Sequence, residues 1–168
     1  MSMEVRMSAE IGALLGRYAE AYMAGDATAV ADMYEAPFLA VRGGEPIHLA
    51  DRPAVVEHLA GLMAAYRSAG AAVADITAIE VLEQGDSAAL ATVRWHVRSA
   101  AGALIRDFRT SYQLVGPDLW RIVSYVNHDT VRPDPRRSGA PGETSDDARK
   151  RSREEEAEAD ARRRGTER

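Results

Sequence analysis

This 168-residue chain contains four histidines and no cysteine. With cysteine absent, its candidates for chemistry are histidine, tyrosine and carboxylate side chains. His48 and His58 lie apart in the sequence, without the HxH or HExxH spacing of common metal sites. Neither a glycine-rich phosphate-binding motif nor a nucleophile-elbow motif occurs. The sequence therefore predicts no metal site and no cofactor.

The remaining candidate for proton transfer is His128, which follows Asn127 at the end of the last apolar segment. Histidine is the side chain whose ordinary pKa suits acid–base work near neutral pH. A lone histidine is, however, more often a structural residue than a catalyst, so both interpretations stay open. His96 alternates with arginines on the polar side of its segment, and we expect it on the surface.

Helices are predicted to carry the first part of the chain. The first has an apolar face at positions i, i+3, i+4, i+7 and i+11, formed by Ile11, Leu14, Leu15, Tyr18 and Tyr22. Gly25 suits the end of this helix, and Asp26 can cap the amides of a second one. We expect Tyr34 on the apolar side of the second helix, which the Ala36-Pro37 pair ends.

A hairpin, a third helix and four strands follow. The hairpin runs from Phe38–Val41 to residues 46–48, and Asp51 caps the third helix. Beyond Gly70 the apolar period becomes 2, which predicts strands at Val73–Glu83, Ala88–Arg98, Ala103–Val115 and Leu119–Asp129. The order predicts an α+β fold, with three N-terminal helices on one face of a curved antiparallel sheet and a cone-shaped cavity between them.

Alternation within the strands assigns side chains to the cavity. Trp95 and its apolar neighbours, together with Phe108 and Tyr112, should face the helices, whereas Asp107 should lie outside, where it can pair with Arg94 or Arg98. The last strand is apolar or amphipathic on both sides, so periodicity does not decide which of its two sets of side chains points inward. We predict that the cavity lining comprises Tyr18, Tyr34, Phe38, Trp95, Phe108, Tyr112, Asn127 and His128.

Two segments carry a family resemblance. Residues 15–38 have the sequence LGRYAEAYMAGDATAVADMYEAPF, and residues 119–128 have the sequence LWRIVSYVNH. With the third helix and the alternating segments between them, residues 8 to 130 resemble the nuclear transport factor 2-like superfamily. This superfamily includes ketosteroid isomerases and polyketide-cyclase-like (SnoaL-like) proteins. The resemblance implies the cystatin-like cone fold and a homodimer formed through the outer sheet face, but its members differ too widely to imply one activity.

Comparison with ketosteroid isomerases argues against that reaction. Tyr18 stands where the similar string of those enzymes carries the tyrosine that donates to the dienolate oxygen. The carboxylate base has no counterpart, since Arg42 falls close to its place, and Thr110 falls at the place of the second acid. Two of the three roles are thus vacant.

Composition limits the partners of the chain. Residues 1–130 form the predicted domain, and their 10 arginines and 16 acidic residues make it acidic, which disfavours nucleic-acid binding. No signal peptide or apolar run of membrane-spanning length occurs, so we expect a soluble cytoplasmic protein without membrane contact. Residues 131–168 lack Leu, Ile, Met, Phe, Trp and Tyr and are predicted to be a charged tail, largely disordered or transiently helical.

Three functions remain open. The first is binding of a small hydrophobic or aromatic molecule in the cavity, without assigned turnover. The second is a cyclase- or isomerase-type enzyme that uses His128 as base and Tyr18 as hydrogen-bond donor, which requires these side chains to converge. The third is a non-catalytic dimeric scaffold whose tail recruits a partner. The sequence alone leaves undecided whether the protein is an enzyme.

Overall fold

The computed structural model describes residues 3–116 and 118–128, all within the compact unit Met1–Thr130. The predicted tail, residues 131–168, lies outside the described residues. None of the described helices combines the length and apolar character needed to cross a membrane. The helices are α1 Met3–Ala24, α2 Ala27–Ala31 and α3 Arg52–Ser68. The strands are β1 Tyr34–Arg42, β2 Glu45–Leu49, β3 Ala71–Glu83, β4 Ala88–Ser99, β5 Leu104–Val115 and β6 Arg121–His128.

One six-stranded, curved and unclosed sheet has the order β2-β1-β6-β5-β4-β3. The predicted α+β class is confirmed, and the four strands from β3 to β6 form the predicted antiparallel meander. One pair departs from the prediction, because β1 runs parallel to β6. This follows from the chain path: α3 and the whole meander lie between the two strands, which leaves the direction of β6 independent of any turn at β1.

The second helix is shorter than predicted. It ends at Ala31, and Tyr34 is the first residue of β1 rather than part of the apolar side of α2. Tyr34 pairs with Ile122 of β6, and the amide of Ile122 donates to the carbonyl of Met33. The Ala36-Pro37 pair accordingly lies inside β1 and does not end a helix. Pairing with β6 thus overrides the local apolar spacing, which fits either a helix or a strand over so few residues.

The predicted inner face of the meander is confirmed. Every second residue of β4 from Ala89 to Val97 is buried, and the opposite residues of the strand are more exposed. On β5 the buried residues are Thr110, Tyr112 and Leu114. The predicted outer pair forms as well, since Arg94 donates two hydrogen bonds to Asp107. The helices therefore cover one face of the sheet and leave the other open.

A β-bulge in β6 determines which side chains of this strand point inward, a question that the sequence did not decide. Ile122 pairs with Leu114, and Ser124 pairs with the next residue along, Gln113, so one additional residue stands between the two pairs on β6. Because the side-chain period of a strand is 2, this extra residue switches the faces. Ile122 is buried before the bulge, and Tyr125 is buried after it. Neither alternating set is therefore inward along the whole strand.

Leucine substitutions should separate the core from the surface. Leu59 of α3 is 0% exposed, whereas Leu119 is 61% exposed. We expect Leu59→Ala to lower the free energy of unfolding by about 2–5 kcal/mol, because it removes buried methyl groups and leaves a cavity. Leu119→Ala, the same change at an exposed position, should stay within about 0.5 kcal/mol of the wild type. Urea denaturation of both variants measures the difference, and equal effects would contradict the burial of α3.

Candidate functional site

A cavity lies between the helices and one end of the sheet. Its empty volume is about 510 Å³, part of which is open to solvent. Most of this space is too narrow to hold the centre of a water molecule. It is lined where the ends of α1 and α3 approach the strands. The lining residues are Tyr18, Ala19, Tyr22, Met23, Arg42, Leu62, Tyr66, Ala74, Trp95, Val97, Phe108, Thr110, Tyr112, Tyr125 and Asn127. Seven of these side chains are aromatic, and none is a carboxylate.

Tyr18 is the centre of the aromatic lining. Its ring lies 5.7 Å from that of Tyr112 and 6.1 Å from that of Trp95, measured between ring centroids. Its hydroxyl oxygen lies 3.2 Å from that of Tyr34, within hydrogen-bond distance. Helical spacing places Tyr22 one turn further along, at 5.6 Å from the Tyr18 ring. The rings thus form one connected layer, with spacings typical of favourable aromatic pairs.

Burial keeps the phenols of this layer neutral. It raises the pKa of Tyr18 and of Tyr34 well above the ordinary value of 10.0, and neighbouring tyrosines raise both further. The pKa of Tyr112 is also raised by burial, against a lowering by its polar neighbours. The hydroxyls of Tyr18 and Tyr112, which line the cavity, can therefore donate hydrogen bonds to a ligand at neutral pH, but they cannot serve there as bases.

Two lining residues, Arg42 and Tyr125, form a polar group with His58, which is not itself part of the lining. Arg42 is the last residue of β1, and it interacts with the hydroxyl of Tyr125. The same hydroxyl lies 2.7 Å from Nε2 of His58 on α3. Burial, followed by the charge of Arg42, lowers the pKa of His58 from 6.5. Burial raises the pKa of Tyr125, although Arg42 opposes that rise. His58 is therefore neutral at pH 7 beside a permanently charged guanidinium.

Arg106 adds a second cation next to the lining. Its guanidinium donates to the hydroxyl of Tyr66 at 2.8 Å and to Oδ1 of Asn127 at 3.5 Å. It also lies over the ring of Phe108, 4.4 Å from the centroid, which is a cation–π arrangement. Arg106 thus holds Tyr66 of α3 against the ends of β5 and β6.

Trp95 presents an unused donor. The residue is 3% exposed, and its indole N–H makes no hydrogen bond with any residue in the described ranges. Burial raises the pKa of the Tyr112 phenol, and the indole N–H points near enough to its hydroxyl to lower that pKa, but the two groups do not reach hydrogen-bond geometry. A buried N–H without a partner costs about 1–3 kcal/mol. An acceptor atom of a bound molecule would satisfy it.

Five of the eight predicted site residues meet at the cavity: Tyr18, Trp95, Phe108, Tyr112 and Asn127. Two others belong to the core behind it, where the rings of Tyr34 and Phe38 stack with their centroids 4.3 Å apart. Neither of them lines this cavity.

His128 lies on the opposite side of the sheet from Tyr18. Its Nε2 is 2.8 Å from the hydroxyl of Ser111, which in turn is 2.8 Å from that of Thr92 on the outer face. The bulge in β6 causes this placement, because it turns Asn127 inward and His128 outward. The structure therefore does not bring His128 and Tyr18 together.

Sequence reasoning missed Arg42, His58, Tyr66, Arg106 and Tyr125 as parts of the site. A signal for Arg42 was present, since Phe38 and Ala40 alternate with it on the buried side of β1. Within the described residues, no three side chains of His, Cys, Asp or Glu lie close enough to hold a metal ion. The arrangement offers neutral hydrogen-bond donors, one neutral imidazole and two cations beside aromatic surface.

Alkaline unfolding tests the burial of the phenols. Four tyrosines with raised pKa are almost fully buried: Tyr18, Tyr34, Tyr112 and Tyr125. Below pH 10 their contribution to stability is complete. As the pH rises above 10, the unfolded chain releases phenolic protons that the folded chain retains, so the free energy of unfolding should fall by about 1.4 kcal/mol per pH unit for each.

Urea denaturation between pH 8 and 11, with absorbance at 295 nm as the probe of phenolate, measures this slope. Tyr112→Phe should reduce the slope by one tyrosine's share while leaving the ring contacts in place. Ionisation of these phenols near pH 10 in a chain that keeps its native circular dichroism would contradict their burial in the folded state.

Comparisons with known proteins agree with this architecture. A family model described as NTF2-like protein (DUF6841) matches residues 9–130. No curated protein sequence matches the chain. Among solved structures, an NTF2-like protein with a cystatin-like fold from Novosphingobium aromaticivorans is 22% identical and has a TM-score of 0.60, with 74% of this chain and 84% of that chain covered.

Two further structures show the same fold. An NTF2-like protein of unknown function from Shewanella oneidensis is 20% identical, with a TM-score of 0.58 and coverage of 73% of this chain and 98% of that chain. A protein of unknown function from Mycobacterium tuberculosis is 21% identical, with a TM-score of 0.61 and coverage of 84% and 88%. Since the family model covers most of the chain, the protein belongs to the NTF2-like family DUF6841.

Proposed function

We propose that this protein binds a small hydrophobic or aromatic molecule in the cavity between α1, α3 and the sheet. The observation that carries the proposal is the lining itself, in which seven aromatic side chains surround empty space and no carboxylate is present. Ligand pockets in proteins are mostly apolar, with a few polar groups that fix orientation. Thr110, Asn127 and the free indole N–H of Trp95 are the polar groups available here.

The size of the free space limits the ligand. Because much of the cavity is narrow, the rings that line it must move apart slightly for a molecule larger than a few waters. Tyr22, Arg42 and Tyr66 are only half-buried, so they have more room to move than the buried rings of the lining. A flat ring system that enters between them suits this geometry better than a bulky aliphatic one.

We do not extend the proposal to the cyclase or isomerase reaction that His128 and Tyr18 could have performed together. That reaction needs a base within hydrogen-bond reach of the substrate in the cavity. His128 bonds to Ser111 on the outer face instead. The proposal is therefore binding, and it assigns no turnover.

Replacing either of two alanines of β3 by phenylalanine tests the site. Ala74 lines the cavity from β3, and Ala78 lies on the same strand but is exposed and pairs with Arg94 of the outer face. Ala74→Phe should fill the free space and lower the affinity for a neutral aromatic probe, 2-naphthamide, by about 10-fold or more, because the ring and the probe compete for one volume. Ala78→Phe adds the same group outside and should leave the affinity unchanged.

Isothermal titration calorimetry of the wild type and both variants gives the dissociation constants, and thermal denaturation checks that each variant folds. Binding that Ala74→Phe leaves intact would place the probe elsewhere. If the wild-type protein does not bind the aromatic probe, the proposed binding of small aromatic molecules is contradicted.

We also propose that the outer sheet face forms a homodimer, as the family resemblance implies. Exposed apolar side chains lie on this face beside polar ones, among them Leu82 of β3 and Val126 of β6, which are 61% and 43% exposed. An exposed sheet face with both kinds of side chain suits association with a second copy. The scaffold hypothesis for the tail concerns residues outside the described ranges and remains a prediction.

Val126→Glu should dissociate the dimer, because it places a charge in the middle of an apolar contact. Leu119→Glu, at an exposed apolar position outside the strands, should leave the assembly intact. Sedimentation velocity at tens of micromolar protein measures both. A wild-type protein that sediments as a monomer at this concentration would contradict the proposed dimer.

A further inference from the structure

Arg42 is a cation that the described part of the chain leaves without a counter-ion. It is half-buried and lines the cavity, and its side chain interacts with the hydroxyl of Tyr125. None of the ion pairs formed among residues 3–116 and 118–128 includes it. Removing a charge from water without pairing it is costly, so a half-buried guanidinium beside empty space is a favourable position for an anion.

Two arginines of the outer sheet face contrast with Arg42. Arg94 donates two hydrogen bonds to Asp107, and Arg98 lies 3.4 Å from the carboxylate of Asp75. Both of these arginines lie on the outer face, where the sheet also supplies acids. On the cavity side the lining contains no acid at all, which leaves the charge of Arg42 unopposed by any lining residue.

Arg106 strengthens the positive potential of the same end. It too has no carboxylate partner within the described residues, since its partners there are Tyr66, Asn127 and the ring of Phe108. Asn127 and Tyr66 both line the cavity, so the second cation stands one side chain away from the free space. The neutral His58 completes the surroundings of Tyr125 without adding an acid.

These observations divide the cavity into two parts with different chemistry. Tyr18, Trp95 and Tyr112 supply aromatic surface at the inner part, and Arg42 supplies a cation at the outer part. We propose that the ligand is an aromatic anion, whose ring packs in the aromatic part while its acidic group, of the carboxylate type, is held by Arg42. This inference rests on the proposed binding function and adds the charge of the ligand to it.

The geometry argues against a cationic ligand in the same place. Aromatic cavities can bind ammonium groups through the faces of their rings. Here a guanidinium lies at the open end and another lies over Phe108, so an entering cation would meet repulsion from both. A neutral aromatic molecule would use the rings only and would leave Arg42 in its present state.

Two probes of the same shape isolate the role of charge. 2-Naphthoate and 2-naphthamide share one ring system, and they differ in that the first carries a carboxylate and the second a neutral amide. We expect the wild-type protein to bind 2-naphthoate at least about 10-fold more tightly, as a charge-assisted hydrogen bond to an arginine would give. Calorimetric titration at one ionic strength provides both constants.

Substitution of Arg42 should remove this preference selectively. Arg42→Gln should weaken 2-naphthoate binding by about 10- to 100-fold and change 2-naphthamide binding by less than about threefold. Arg42→Lys keeps the charge and should retain part of the preference, with a loss because lysine cannot bind a carboxylate bidentately. Arg109→Gln makes the same change at an exposed outer-face residue and should alter neither constant.

The imidazole of His58, which contacts the lining residue Tyr125, offers a second readout beside the site. Because the charge of Arg42 contributes to the low pKa of His58, an anion bound at Arg42 should raise that pKa, as followed by NMR of the ring protons. 2-Naphthamide should leave it unchanged. This measurement does not depend on whether a variant of Arg42 folds.

The two proposals fail in different ways. If both probes bind equally, are both weakened by Ala74→Phe, and are equally insensitive to Arg42→Gln, the cavity binds ligands but the charge preference is wrong. If neither probe responds to Ala74→Phe, the cavity is not their site and the proposed function itself is overturned. A preference for 2-naphthoate that survives in Arg42→Gln would likewise remove Arg42 from the explanation.

Discussion

The hydroxyl groups of buried tyrosines must find partners inside an otherwise apolar layer, and much of the domain is arranged around this requirement. Tyr18 and Tyr34 satisfy one another, Tyr125 meets His58, and Tyr66 receives a hydrogen bond from Arg106. Unpaired hydroxyls in such a layer would each cost about 1–3 kcal/mol. These bonds connect α1, α3, β1, β5 and β6, so the polar tips of the rings fix the positions of the elements as well as the chemistry of the cavity.

This arrangement explains why the cavity lies at one end of the sheet. Near Tyr34 and Phe38 the rings stack closely. At the cavity the long, half-buried side chain of Arg42 forms part of the lining. Long polar side chains fill a cavity less completely than branched apolar ones, because their charged heads stay near solvent. The free space follows from that difference.

Much of the fold could be predicted from the sequence, because α1, α3 and the four strands of the meander have long, regular apolar periods. Short or irregular segments could not be predicted in the same way. The local apolar spacing around Tyr34 fits either a helix or a strand, and only the pairing of Tyr34 with Ile122 places it in a strand. The inward side of β6 depends on a bulge, which shows itself in backbone pairing and not in residue type. The residues predicted on β4 and β5 lie at the cavity, whereas the prediction lacked Arg42 and Tyr125, which lie on strands whose facing depends on tertiary pairing.

The bulge in β6 also means that strand pairing, and not only residue type, determines which functional group the cavity contains. Asn127 and His128 are neighbours that lie on opposite faces, and one additional backbone residue between Ile122 and Ser124 decides which of them is enclosed. The same residue order paired with β5 without the bulge would turn His128 inward and Asn127 outward, without any substitution. Within this fold, a change in strand pairing alone would therefore convert a pocket that holds an amide into one that holds a titratable base.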